Sequence, residues 1–358
     1  MATAGLICPQ LSLPDVMPMP FAFSRHFKSL IAVLALLSIA APVHAERFAC
    51  SGRDLIAAMA QEDPARLASL RQAAEAEPNG RGLLWRVSKE GVAPSWLFGT
   101  MHMADPRVAT LPAPAQAAFD KADTLVIETL DVLDPAKMTA LMLERPELTM
   151  FTGSETLTDL IPEADRAMVA ARLAARGVPL DSLRKTKPWL VAALVALPEC
   201  ELKRKAAGAP VLDLALAEAA ETEGKRLEGL ESLTDQLEAM AGLPMDFHIH
   251  GLVETARLGD RLDDVIETMI VLYRAQEVGM FWPFFEAVLP DEAAAGEVGY
   301  AAFQERMIVA RNGTMAERAL PILARGNVFM AVGALHLPGR DGVVERLRQA
   351  GFTVEAVN

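Results

Sequence analysis

The chain of 358 residues carries a net charge of −13 and 52% hydrophobic residues, with a mean hydropathy of +0.22. That apolar content excludes an intrinsically disordered chain and supplies a sizeable core, in one large domain or two modest ones. The acidic balance, with an isoelectric point near 5.0, excludes broad binding to nucleic acids or anionic membranes, which needs clustered Lys and Arg.

Arg25, His26 and Lys28 precede the apolar run Leu30 to Ala41, and Val43-His44-Ala45 follows as an A-x-A-like cleavage site. A charged start, an apolar run too short to span a bilayer and such a site describe a signal peptide over residues 1–45. Met17 or Met19 gives a start of more ordinary length, and an uncleaved anchor is the alternative. The mature chain then begins near Glu46 and is periplasmic or secreted, with no stable membrane insertion after cleavage. Cys8 falls in the discarded segment. Cys50 and Cys200 remain; in an exported chain they can form one disulfide closing a long loop, the alternative being two free buried thiols.

From Gly52 the sequence reads as helical as far as the turn Pro78-Asn79-Gly80. "GLLWRVSK" and "SWLFGTM" then read as two strands of a hairpin around Glu90-Gly91. "PAPAQAAFDKA" is a short helix with Pro near its start, and "DTLVIETL" contains a buried strand. Residues 135 to 325 are mostly helical, interrupted by a brief strand at "RLEGL" and with Ser232 as a helix N-cap. The C-terminus repeats the opening plan: strand "NVFMAV", a Gly/Pro loop, helix "GVVERLRQA" stopped by Gly351, and strand "FTVEAV". No flexible linker divides residues 46–358, so they read as a single α/β domain. Its central mixed or mostly parallel sheet is built from two β-α-β units at the chain ends, with a large helical insertion over about 135–325 between them.

Both units carry a glycine at the strand end and a histidine three residues later: "FGTMH", ending at His102, and "VGALH", ending at His336. Ligands of α/β sheets gather at the carboxyl ends of strands, where Gly99 and Gly333 allow sharp bends or close approach of a substrate. Glu128, at the end of "LVIE", leaves the sheet at the same rim. Two histidines and a carboxylate make a common open site for a divalent metal, with free positions for water or substrate. Glu231 suits a base or supporting role beside it. Arg311 and Asn312 break the apolar pattern of their helix, and an arginine there can hold a carbonyl or carboxylate oxygen.

Other polar features read more plainly. The pair His248 and His250 in "FHIH" lies between helices as an incidental polar pair. Glu355 is the polar end of the last strand, while Asp263-Asp264 and "ELKRK" are solvated helix faces. "MFWPFFEA" is packing surface.

The motifs resemble the TraB/GumN family, whose pattern appears as "FGTMH", "VIE", "GLES", "RN" and "VGALHLPGRDGVVERLRQAGFTV" over roughly residues 80 to 358. The family's relatives include Tiki-type metalloproteases and, more distantly, erythromycin esterase and ChaN-like folds. The resemblance implies an α/β fold with one site flanked by the two G-x-x-H motifs. It further implies metal-dependent peptide hydrolysis by His102, His336 and Glu128, with Mn, Co or Zn as the metal and a peptide or protein as substrate. Glu231, Arg311 and Asn312 match the remaining family positions. Two alternatives arise from the distant relatives: a haem- or metal-binding periplasmic protein without turnover, and a metal-free, histidine-based esterase.

Overall fold

The computed structural model describes residues 48–288 and 301–357. The chain divides after Val43, and its larger unit runs from His44 to Asn358. The signal-peptide reading falls on residues 1–45, outside the described residues. Among the described residues no helix is long and apolar enough to cross a membrane.

Six strands form one sheet: β1 (Leu84–Lys89), β2 (Val92–Thr100), β3 (Thr124–Ile127), β4 (Arg226–Gly229), β5 (Val328–Gly333) and β6 (Thr353–Ala356). Their order is β4-β3-β5-β2-β1-β6. β1 and β2 are the expected hairpin, turned at Gly91, whose φ of 75° suits glycine. β4, β3, β5 and β2 pair in parallel, whereas β1 runs antiparallel to both β2 and β6. The sheet is therefore mixed and mostly parallel, with helices between the strand groups. The two β-α-β units interleave: β5 lies between β2 and β3, and β6 crosses to the far edge beyond β1.

Burial explains that order. All six residues of β5 are buried, as a strand covered on both faces requires. Its side chains alternate between two cores. Phe329 and Ala331 join Phe98, Phe119 and Leu125 on one face. Val328, Met330 and Val332 join Leu97, Val126 and Leu347 on the other. A third apolar cluster, including Leu157, Val169, Val191 and Leu252, belongs to the helical insertion alone.

Three local readings change. "FHIH" lies within helix Met245–Leu258, where positions i and i+2 point to different sides, so His248 and His250 share no face. "ELKRK" is not a solvated face: in helix Glu199–Ala206, Glu201 is 0% and Arg204 5% exposed. Asp264 accepts the backbone N–H of Arg53, and Asp263 accepts from Ser51, so that pair anchors the N-terminal segment. "MFWPFFEA" is packing surface as read, with Phe281 and Phe284 buried. Cys50 and Cys200 are joined in a disulfide, Cα–Cα 5.4 Å.

Candidate active site

The carboxyl ends of β2, β3 and β5 meet at one rim. Thr100 pairs with Gly333 in the β2–β5 register, so the two G-x-x-H motifs leave the sheet side by side, staggered by one residue. Gly99 is needed for packing: a Cβ there would lie 2.6 Å from Leu337 Cδ1 and 3.0 Å from Ala334 Cα. Its absence lets the 3-10 turn Ala334–His336 lie against β2. The Tyr273 hydroxyl donates to the Gly99 carbonyl at 2.7 Å and fixes that strand end from the other layer; burial pushes this phenol up from its ordinary value. Gly333 serves the cleft itself. A Cβ there would stand 3.1 Å from Glu128 Oε1 and 3.5 Å from His102 Nε2.

Each imidazole has its Nδ1 engaged. His102 Nδ1 lies 3.0 Å from Asp213 Oδ2, whose other oxygen accepts the Thr100 hydroxyl at 2.8 Å. His336 Nδ1 lies 2.7 Å from Asn312 Oδ1. The Asn312 amide nitrogen donates to the Asp341 carbonyl at 2.9 Å, so its oxygen must be the atom facing the ring, and His336 Nδ1 is the donor. Both Nε2 atoms then face Glu128 Oε1, at 3.9 Å from His102 and 3.8 Å from His336.

Glu128 is itself anchored. Oε1 accepts the Gly333 N–H at 2.7 Å, and Oε2 accepts Arg311 Nη2 at 2.7 Å and Gln236 Nε2 at 3.1 Å. Arg311 also reaches Glu231, with Nε and the shared Nη2 at 3.0 and 2.7 Å from Oε2. One guanidinium thus binds two buried carboxylates. Arg311 and Asn312 open the helix Ala310–Leu323 directly after a π-helical turn, Gln304–Val309. Such turns are frequent at functional sites.

The electrostatics separate two otherwise alike histidines. Burial disfavours a charge on His102, but the hydrogen bond and charge of Asp213, with Glu128, outweigh it and raise the pKa to about 9. The side chain is 57% accessible, so the carboxylates rather than desolvation set that direction. His336 is enclosed, and burial pushes it down to about 4, with Arg311 and His102 adding to the effect against Glu128. Burial alone would raise Glu128; the facing imidazoles, Arg311 and the Gly333 N–H instead hold it down at about 2. Arg311 is raised, because its carboxylate partners overcome its own burial.

By type, two imidazole nitrogens and a carboxylate oxygen fit a three-ligand divalent site with an open position. By separation, each Nε2 stands 3.8–3.9 Å from Glu128 Oε1, so the rings would have to draw closer to share one cation with it. Among the described residues no group of three or more His, Cys, Asp or Glu is close enough to hold a metal as it stands.

A model of the TraB/PrgY/gumN family matches residues 83–356. The chain belongs to the TraB/PrgY/gumN family. Its curated relatives in this family carry the name metalloprotease. The match to Metalloprotease TIKI2 of Danio rerio is 27% identical over 318 residues, covering 76% of this chain and 60% of that protein. Metalloprotease TIKI1 of Homo sapiens is 25% identical over 321 residues, 76% of this chain and 61% of that protein. The Metalloprotease TIKI homolog of Nematostella vectensis is 22% identical, with 78% and 68% covered. The chain therefore spans about three fifths of the length of the first two relatives. No solved structure matches it.

All six residues singled out in the sequence, His102, Glu128, Glu231, Arg311, Asn312 and His336, lie in this hydrogen-bonded neighbourhood, lined by Gly333 and braced at Gly99. Sequence reading missed Asp213 and Gln236. Asp213 had a signal: it shares the buried face of helix Leu212–Thr222 with Leu216, Ala217 and Ala220, an acid in an apolar stripe. Gln236, in helix Leu233–Ala241, had none.

Proposed function

We propose that the chain is an exported, metal-dependent peptidase whose divalent cation (manganese, cobalt or zinc) is held by His102 Nε2, His336 Nε2 and Glu128. One observation carries this reading: the imidazoles from the two chain ends both turn Nε2 toward Glu128 Oε1, at 3.9 and 3.8 Å. When bound, the cation supplies Lewis acidity to a substrate carbonyl and to attacking water. Asp213 and Asn312 accept hydrogen bonds from Nδ1–H, fixing each tautomer so that Nε2 is the nitrogen left to offer a lone pair. To offer Nε2 to a cation, His102 would lose its second proton to solvent, whereas His336 is already neutral. Glu128 stays ionised under Arg311, and Glu231 keeps that guanidinium aimed at it. Glu231 and Asn312 thus act through their neighbours, and Arg311 is the guanidinium that sets a fixed positive charge beside Glu128. The half-exposed His102 ring marks the side from which substrate enters.

A peptide or protein substrate is supported by the metalloprotease names of the relatives. Export is supported by the disulfide, a bond of oxidising compartments, and by the charged and apolar pattern of residues 1–45.

A second reading rests on the Asp213–His102 pair, which would equally orient a metal-free general base. Elemental analysis of protein purified without chelators, with digestion of a peptide library before and after added Mn²⁺ or Co²⁺, separates the two. Bound metal and cation-dependent cleavage support the first. Cleavage that survives chelation with no bound metal supports the second. Full activity in His336→Ala removes the first, and full activity in His102→Ala removes both.

A further inference from the structure

The loop that carries His102 is gripped by a buried ionic cluster that the site chemistry does not use. Helix Glu199–Ala206 lies against it. Glu201 accepts the Ala104 N–H at 2.5 Å, and Arg204 reaches Asp105 at 3.0 Å. All three charged side chains are at most 5% exposed. Asp105 also holds Arg107, which pairs with Glu267 of helix Arg261–Arg274 at 2.6 Å. A few residues on, Asp213 takes the Thr100 hydroxyl and the His102 ring. One stretch of chain, Cys200 to Asp213, thus holds Thr100, His102, Ala104 and Asp105.

That grip is anchored covalently at one end. Cys200 is bonded to Cys50, and Arg204 Nη1 stands 3.3 Å from Cys50 Sγ. The segment after Cys50 is fixed in turn: Arg53 N–H donates to Asp264 at 2.7 Å, and a Cβ on Gly52 would fall 1.9 Å from the Asp263 carbonyl oxygen. The cluster is not self-sufficient. Glu201 Oε2 has no hydrogen bond, only an ion pair with Arg204 Nη1 at 3.5 Å, and Arg204 Nε is buried with no hydrogen-bond partner. Buried ionic groups short of partners favour opening toward water, and a covalent tie to a fixed segment opposes that opening.

We propose that the Cys50–Cys200 disulfide, acting through Glu201 and Arg204, positions His102, so that the active geometry belongs to the oxidised chain. The inference rests on the reading that His102 belongs to the working site. Switching uses a dithiol reductant. The S–S bond breaks, two electrons and two protons pass to Cys50 and Cys200 as thiols, and the reductant closes to its own disulfide.

Hydrogen–deuterium exchange on the full chain, oxidised and after dithiothreitol, tests the grip independently of turnover. Reduction is expected to speed exchange about tenfold or more in peptides covering 101–107 and 199–213, with the β5 amides unchanged. In peptidase assays kcat falls about tenfold with KM within about twofold, and reoxidation restores it. Glu201→Ala in the oxidised chain reproduces the faster exchange at Ala104, and Glu201→Gln, which keeps an acceptor, rescues it. Unchanged exchange over 101–107 after reduction overturns the proposal. So does uniform acceleration across the chain, the signature of a general staple. Local loosening without peptidase activity in either redox state counts against the proposed function and leaves the clamp standing.

Discussion

Asn312→Ala removes the neutral partner that sets one imidazole and leaves every charged group in place. The wild-type amide accepts from His336 Nδ1 at 2.7 Å and donates to the Asp341 carbonyl at 2.9 Å. That carbonyl keeps a second donor, Arg346 Nε at 2.9 Å, so one group alone, His336 Nδ1–H, loses its partner. Asn312 is 1% and His336 4% exposed, so water does not readily replace the bond, and an unsatisfied buried donor costs about 1–3 kcal/mol. For a domain of this size that lowers Tm by roughly 2–5 °C. The ring can escape the penalty by moving its proton to Nε2, but Nε2 then no longer offers a lone pair toward Glu128. Loss of such an orienting partner weakens metal affinity or activity by about 10- to 100-fold. Thermal melts followed by circular dichroism, calorimetric Mn²⁺ titration and peptidase assays on one preparation read all three effects. A variant that melts lower yet binds the cation and turns over as wild type refutes the tautomer argument.

Arg311→Met strands Glu128 and Glu231, 9% and 2% exposed at their side chains, and is expected to cost about 3–5 kcal/mol in urea unfolding; a midpoint equal to wild type would deny that one guanidinium serves both. Gly333→Ala folds normally, because φ at this residue is −52°, yet loses activity through a Cβ 3.1 Å from Glu128 Oε1. Gly99→Ala instead lowers Tm, its Cβ meeting the Ala334 backbone at 3.0 Å; the reverse pattern would invert the roles given to the two glycines. Asp105 is buried, and although burial opposes ionisation, Arg107 and Arg204 hold its pKa below the usual value. Its depressed folded pKa means the stabilisation is complete above the unfolded value near 3.9 and is lost as pH falls through the folded one. Urea midpoints from pH 6 down to pH 3 should fall more steeply for wild type than for Asp105→Asn, and parallel curves would contradict this.

What the sequence made legible was local. Each G-x-x-H lies within a few residues of an apolar run, and β2, β3 and β5 fall where those runs do. Glu128 could be read because it terminates a strand with no polar alternation. The strand order was less accessible, since it depends on which apolar run is covered on both faces, a property of the assembled layers. Helix Glu199–Ala206 misled for a related reason. Its charges look solvated one residue at a time, and only Asp105 and the Ala104 N–H, some hundred residues away in sequence, make them interior.

The same distinction explains the two histidines. As text they are interchangeable, each three residues past a strand-end glycine. Folded, they differ by partner: a carboxylate from helix Leu212–Thr222 stands behind His102, and an amide from helix Ala310–Leu323 behind His336. The charged partner draws a proton onto the accessible ring, while the neutral partner and enclosure leave the other ring unprotonated. Exchanging the partners should exchange the behaviour. In Asp213→Asn the His102 pKa falls toward the ordinary histidine value, since the hydrogen bond and charge that chiefly raise it are gone. Imidazole titration by NMR follows this in chelator-treated protein. A His102 that still titrates near 9 would mean that Glu128 alone sets its charge, and the asymmetry would then arise from burial rather than from what each helix brings to the ring.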